Sequence, residues 1–265
     1  MKNKQKKRSK FTSVSIWHFI RLGYRSALLI AAVWIYISYR IHPDPGTLYD
    51  MGMNPLIQGI IWIVFMVEMF LRLFPSKLES PGSQKQFARN YMKSGSTQID
   101  IPDNNATMLV ALIWVCFNLI FGALYMAGIL DNGIMVLLSC AFAVCDTVCI
   151  LFFCPFQSWF LHNKCCGSCR IYNWDYAMMF TPLFFVRTPY TWGLLLMSII
   201  LLVRWEITFY RYPERFSEKT NEYLRCENCT EKLCAHKKQL HSLWKQVAAF
   251  TSERSKRLRR EEDNV

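Results

Sequence analysis

The chain has 265 residues, is 52% hydrophobic and carries a formal net charge of +12. Its apolar residues fall in long uninterrupted runs, which excludes an ordinary soluble domain, and its basic residues gather beside those runs instead of in a nucleic-acid-binding motif, so nucleic acid is not the partner the charge serves. The expected fold is an all-α integral membrane protein with about six transmembrane helices, short loops and a cytoplasmic Cys-rich C-terminal segment, seated in the lipid bilayer of the plasma membrane.

Residues 1–16 form a basic N-terminus. Lys2, Lys4, Lys6, Lys7, Arg8 and Lys10, followed by Arg21 and Arg25, occur without one acidic residue, and the positive-inside rule places them in the cytoplasm. A transmembrane domain follows over residues 17–210, with spans near 22–39, 56–74, 107–128, 133–153, 171–187 and 190–210; about 20 residues cross ~30 Å of hydrocarbon. The first run is longer than a signal-peptide core, and Tyr39-Arg40-Ile41-His42 offers no small-residue cleavage site, so it reads as an uncleaved anchor. The loop after it carries Asp44 and Asp50 but no Lys or Arg, and reads as external.

In the second span Glu68 and Arg72 lie four apart, which predicts a local ion pair. The loop that follows bears Lys77, Lys85, Arg89 and Lys93 and reads as cytoplasmic, with a surface helix around Gln84–Lys93 whose Phe87 and Tyr91 rest on the membrane or pack as ordinary loop residues. Asp131-Asn132-Gly133 is a tight external turn. Asp146, inside the fourth span, has no basic neighbour there, so its carboxyl needs an interhelical partner, a proton or an ion pathway. Asp146 and Glu68 are thus the candidate intramembrane polar site, with Asn118, Asn173 and Arg204 as hydrogen-bond partners.

The run from Ile171 to Val186 is the shortest, about 16 residues against a usual lower limit of ~17. Residues 211–265 form a strongly basic tail that belongs inside, and two cytoplasmic ends require an even number of crossings, so this run is predicted to cross and turn at Arg187-Thr188-Pro189. Asp175, Arg204 and Glu206, with Trp174 and Trp205, read as markers of the water boundary. In the tail, Leu240, Leu243, Trp244 and Val247 recur at helical spacing on a basic segment that can dock on a membrane or on a protein partner.

Seven of the eleven cysteines form two polar clusters, Cys154, Cys165, Cys166 and Cys169, then Cys226, Cys229 and Cys234. Six crossings put both clusters on the cytoplasmic side, flanking the last helical hairpin. Cys166-Gly-Ser-Cys169 and Cys226-Glu-Asn-Cys229 are Cys-x-x-Cys units, a spacing that lets two thiolates reach one tetrahedral ion from a tight turn. Cys166, Cys169, Cys226 and Cys229 are therefore the leading metal ligands, Cys165 and Cys234 the next, and His162 and His236 additional ones. Lys164, Arg170 and Arg225 favour the thiolate form. Zinc is the expected ion, and four thiolates also suit an iron-sulfur cluster. Cys116, Cys140, Cys145 and Cys149 read as small apolar packing residues inside spans.

Cys154-Pro155-Phe156 resembles the Cys-Pro ends of ferredoxin-like membrane electron carriers over three residues, without their repeated Cys-x-x-x-Cys-Pro spacing. No phosphate-binding glycine loop, dinucleotide fingerprint, His-Glu-x-x-His segment or nucleophile elbow occurs, which points away from an enzyme. The sequence thus favours a membrane protein with a structural zinc site in an interaction or sensing role. Electron transfer or redox sensing through a cluster or thiol pair, and ion or metal transport past Asp146 and Glu68, are its rivals.

Overall fold

The computed structural model describes residues 12–41, 55–101, 104–161, 165–231 and 233. Among the described residues seven α-helices form: α1 (Ser13–Ile41), α2 (Pro55–Arg72), α3 (Pro81–Gln84), α4 (Asn104–Met126), α5 (Asn132–Leu151), α6 (Asp175–Phe180) and α7 (Pro189–Arg211). Five of them, α1, α2, α4, α5 and α7, are long and apolar enough to cross a membrane. Among the described residues no strand forms beyond a single antiparallel bridge between Lys93 and Asn221. The architecture is that of an all-helical membrane protein.

Its exterior follows from its solvent. Ile30, Trp34, Ile63, Leu112, Leu119, Leu196 and Ile200 project outward from these helices, a continuous apolar surface that water would penalise and lipid accepts. Inside, Phe65 and Met69 of α2, Ala143 of α5, Tyr176 and Phe180 of α6 and Leu194 and Leu201 of α7 form the core. Small residues set the closest approaches. A Cβ on Gly193 would lie 2.8 Å from the Trp62 indole, which fixes α7 against α2.

The ends of the long helices are written locally. At the end of α4, Gly128 takes φ +72°, while Ile129 N–H donates to Leu124 and Gly128 N–H to Tyr125, the paired bonds of a glycine C-cap. The predicted turn at Asp131 caps α5, its carboxylate accepting from Ile134 N–H at 2.8 Å. Thr188 caps α7 through a reciprocal arrangement with Thr191, and Pro189 fills the first helical position.

The run from Ile171 to Val186 departs from a regular helix. A 3-10 turn at Tyr172–Trp174 leads into α6, which gives way to a 3-10 stretch at Thr181–Phe185. Pro182 has no N–H to donate to the Met178 carbonyl, so the α-helical ladder stops there, and the Ala177 carbonyl one residue earlier accepts both the N–H and the hydroxyl of Thr181. The segment nevertheless runs antiparallel along α2. Asp175 meets Arg72, Tyr176 meets Glu68, Phe180 stacks edge-on against Phe65, and Thr188 reaches Gln58 at 2.7 Å. From Gln58 to Arg72 the α2 axis rises about 21 Å, and the greater rise of 3-10 residues lets the broken segment cover that height.

The connections at the end where α1 begins interlock. Residues 79–87 are buried, so the amphipathic surface helix expected around Gln84–Lys93 is replaced by the buried α3, an enclosed Phe87 and a 3-10 turn at Ala88–Asn90 that stays at the surface. Lys85 is fully enclosed between the Trp205 and Phe216 rings, and its Nζ donates to the carbonyls of Gly167 at 3.0 Å and Cys169 at 2.8 Å. Glu231 is tied to Thr12, Ser15 and His18 of the first helix's entry and to Ser80. The tail segment before Cys234 therefore closes over the start of α1.

Candidate functional site: buried charge network and thiol cavity

Helix α1 begins nine residues before the predicted span and so carries His18, Arg21 and Arg25 into the bundle. Arg21 and Arg25, expected as topological charges facing water, are buried. Arg25 binds Glu68 of α2, Asp146 of α5 at 3.0 Å, the Ala143 carbonyl at 2.9 Å and the Thr147 hydroxyl at 3.3 Å. Glu68 also accepts from Tyr24 and, at 2.7 Å, from Tyr176. The two predicted intramembrane carboxylates are therefore brought together, and the group that joins them is Arg25.

The local Glu68–Arg72 pair does not form. Glu68 turns towards α1, while Arg72 turns towards Asp175, Asn173 and, at 3.8 Å, Glu79. Asp175 is thus a buried ion-pair member instead of a boundary marker. Glu206 binds Arg170 through both oxygens and accepts from the Trp174 indole at 2.7 Å, and Trp205 is fully enclosed, donating to the Arg170 carbonyl. Asn118 turns back on its own helix, and Arg204 reaches the Leu73 carbonyl, so neither joins the network.

Glu79 completes the cluster, with Arg21 at 2.6 Å. Burial alone would raise its pKa, but Arg21 and Arg72 overcome that cost and hold the carboxyl at about 2. Ionised carboxylates and guanidiniums are this expensive to bury singly, and each is tolerated here because its neighbours arrive from other helices.

Beside this network lies an open cavity of about 140 Å³ between α4, α5, α6 and the chain that links α5 to α6. Cys145, Cys149, Cys154, Cys166 and Cys169 all line it, as do Asp146 and Asp175. The rest of the wall is apolar, with Trp114, Phe142, Met178 and Met179. Cys140 packs in the core as expected, but Cys145 and Cys149, read from sequence as packing residues, face this space. The spacing of 145 and 149, one helical turn apart, is the signal that sequence reasoning passed over.

The first Cys-x-x-Cys unit is a 3-10 turn closed by Cys169 N–H on the Cys166 carbonyl at 3.1 Å. Cys166 Sγ turns to Gln157 Oε1 at 3.6 Å, and Cys165 Sγ to Glu218 Oε1 at 3.8 Å. The second unit closes in the same way, Cys229 N–H meeting the Cys226 carbonyl at 3.4 Å. Both turns sit at the end where α1 begins. Arg170 turns to Glu206 and Phe209. Burial pushes the Cys165 thiol up, against the pull of its hydrogen bonds with Ser168.

None of the ten described cysteines is in a disulfide. Among the described residues no group of three or more His, Cys, Asp or Glu side chains converges as a preformed metal site. Cys234, His162 and His236 lie outside the described residues. No family model, curated protein or solved structure matches this chain.

Proposed function

We propose that the chain crosses the plasma membrane six times with both termini in the cytoplasm, and that its Cys-x-x-Cys turns bind a zinc ion structurally in an interaction or sensing role. Cys166 and Cys169 with Cys226 and Cys229 are the assigned ligands, and Cys165 and Cys234 the nearest substitutes. The ion clamps the cytoplasmic ends of the last two crossings and presents the basic tail to a membrane or cytoplasmic protein partner. The observation that carries the reading is the placement of two thiol-bearing tight turns at one end of the bundle, one before and one after that pair of crossings.

The pairing of residues 175–188 with the full height of α2 supports the sixth crossing, and the basic N-terminus and tail support the orientation. A zinc ion held by both turns joins them, which couples ion binding to the order of the cap.

Elemental analysis of anaerobically purified, full-length protein tests the assignment. One zinc per chain, lost in Cys226→Ser/Cys229→Ser, is the expected result. A zinc-free protein whose two turns are fully alkylated under native conditions defeats it. Iron with visible charge-transfer absorption would give the same thiolates to an iron-sulfur cluster.

A further inference from the structure

Cys149 lies in the last turn of α5, which ends at Leu151, and Cys154 follows just past the helix end, before Pro155 redirects the chain. The two thiols are hydrogen-bonded to each other on the cavity wall. They sit next to side chains with no charge to spare: Asp146 is held by Arg25 and Asp175 by Arg72. Two thiols in hydrogen-bond contact can be joined by one atom with small torsional changes. Because no third donor group converges there among the described residues, that atom must be content with two sulfurs, unlike zinc, which takes four ligands.

Charge narrows the choice. A divalent soft ion that displaces two thiol protons, Hg²⁺ + 2 RSH → Hg(SR)₂ + 2 H⁺, leaves no net charge in the cavity. So does a trivalent arsenical, R–As=O + 2 RSH → R–As(SR)₂ + H₂O. A monovalent ion on two thiolates would leave one uncompensated negative charge among apolar walls, which is costly. The aromatic wall of Trp114 and Phe142 and the thioether of Met178 suit a polarisable occupant.

We propose that Cys149 and Cys154 form a dithiol site for a soft thiophile of the mercury(II) and arsenic(III) class that takes two protein sulfurs, bound as a neutral adduct in the cavity beside the Arg25 network. The site is separate from the zinc assignment, which needs Cys226 and Cys229.

Phenylarsine oxide is the probe, added to reduced full-length protein in mild detergent and followed by alkylation and peptide mass spectrometry. At one equivalent, Cys149 and Cys154 become protected together and carry one phenylarsenic group, in the wild type and in Cys226→Ser/Cys229→Ser alike. Cys149→Ser and Cys154→Ser each weaken retention by about 100-fold, the loss expected when a two-point attachment becomes one-point. Equal alkylation of the two thiols with and without the arsenical overturns the proposal, as does arsenic mapped to Cys166 and Cys169. The mapping on unmodified protein decides the question even if a serine variant fails to fold. Loss of zinc from Cys226→Ser/Cys229→Ser with the arsenical adduct intact separates the two assignments.

Discussion

Replacing Arg25 by methionine removes the one group that touches Glu68, Asp146, the Ala143 carbonyl and Thr147 together. Breaking one partner out of a buried ion pair costs about 3–5 kcal/mol. Two carboxylates lose their cation here, which pushes the loss upward, but Glu68 keeps Tyr24, Tyr176 and Arg21 at 3.8 Å, which pulls it back. The expected destabilisation is about 4 kcal/mol. Adding Glu68→Gln and Asp146→Asn to Arg25→Met removes the stranded charges and leaves unmade hydrogen bonds, so about half of the loss should return. Unfolding by dodecyl sulfate in mixed micelles, followed by tryptophan fluorescence, measures both variants. A cost below about 1 kcal/mol for Arg25→Met, the scale of an exposed pair, would refute the reasoning. So would a triple variant no more stable than the single one.

Glu79 gives an acid limb to stability. Its pKa is lowered from 4.5 to about 2 by Arg21 and Arg72 acting against burial, so its contribution is complete above pH 4.5, falls as pH drops and is gone below about pH 2, amounting to about 3 kcal/mol. Glu79→Gln should flatten stability against pH in that window. Gly122→Val should cost about 1–3 kcal/mol through overpacking, because a Cβ there falls 2.3 Å from the Phe185 ring, whereas Gly23→Val, with open space around its Cβ, should be near neutral in the same unfolding assay. Lys85→Met strands the Gly167 and Cys169 carbonyls. Alkylation of Cys166 and Cys169 in metal-free protein should then quicken about 10-fold, the worth of one charge-assisted bond, and an unchanged rate would show that Lys85 does not hold the turn.

The apolar runs made the long helices legible, because length and hydropathy are properties of contiguous residues. Asp131 and Thr188 were legible for the same reason, since caps and turns act over three or four positions. The charge network was not. Glu68 and Arg25 are 43 residues apart, and Arg25 and Asp146 are 121 apart, so no local period joins them. The four-residue rule instead offered Arg72, which shares a helix with Glu68 but faces a different neighbour. The same rule, applied to Cys145 and Cys149, would have marked the wall of the cavity, yet only the break in α6 and the turn at Pro155 create a space for that wall to face. The broken segment itself was legible as a short run, and its irregular backbone follows from Pro182.

The wide sequence separation within the Arg25 network constrains how the protein is made. Chains emerge from the ribosome N-terminus first, so α1 is complete before Glu68 exists and long before Asp146. An arginine deep in a lone helix costs about 3 kcal/mol on insertion scales, and α1 also carries Arg21. An α1 that enters the bilayer together with α2 can meet this cost by pairing Arg25 with Glu68 and can accept Asp146 of α5 later. Its own entry stays unsealed until Glu231 arrives, after all five long helices have been made.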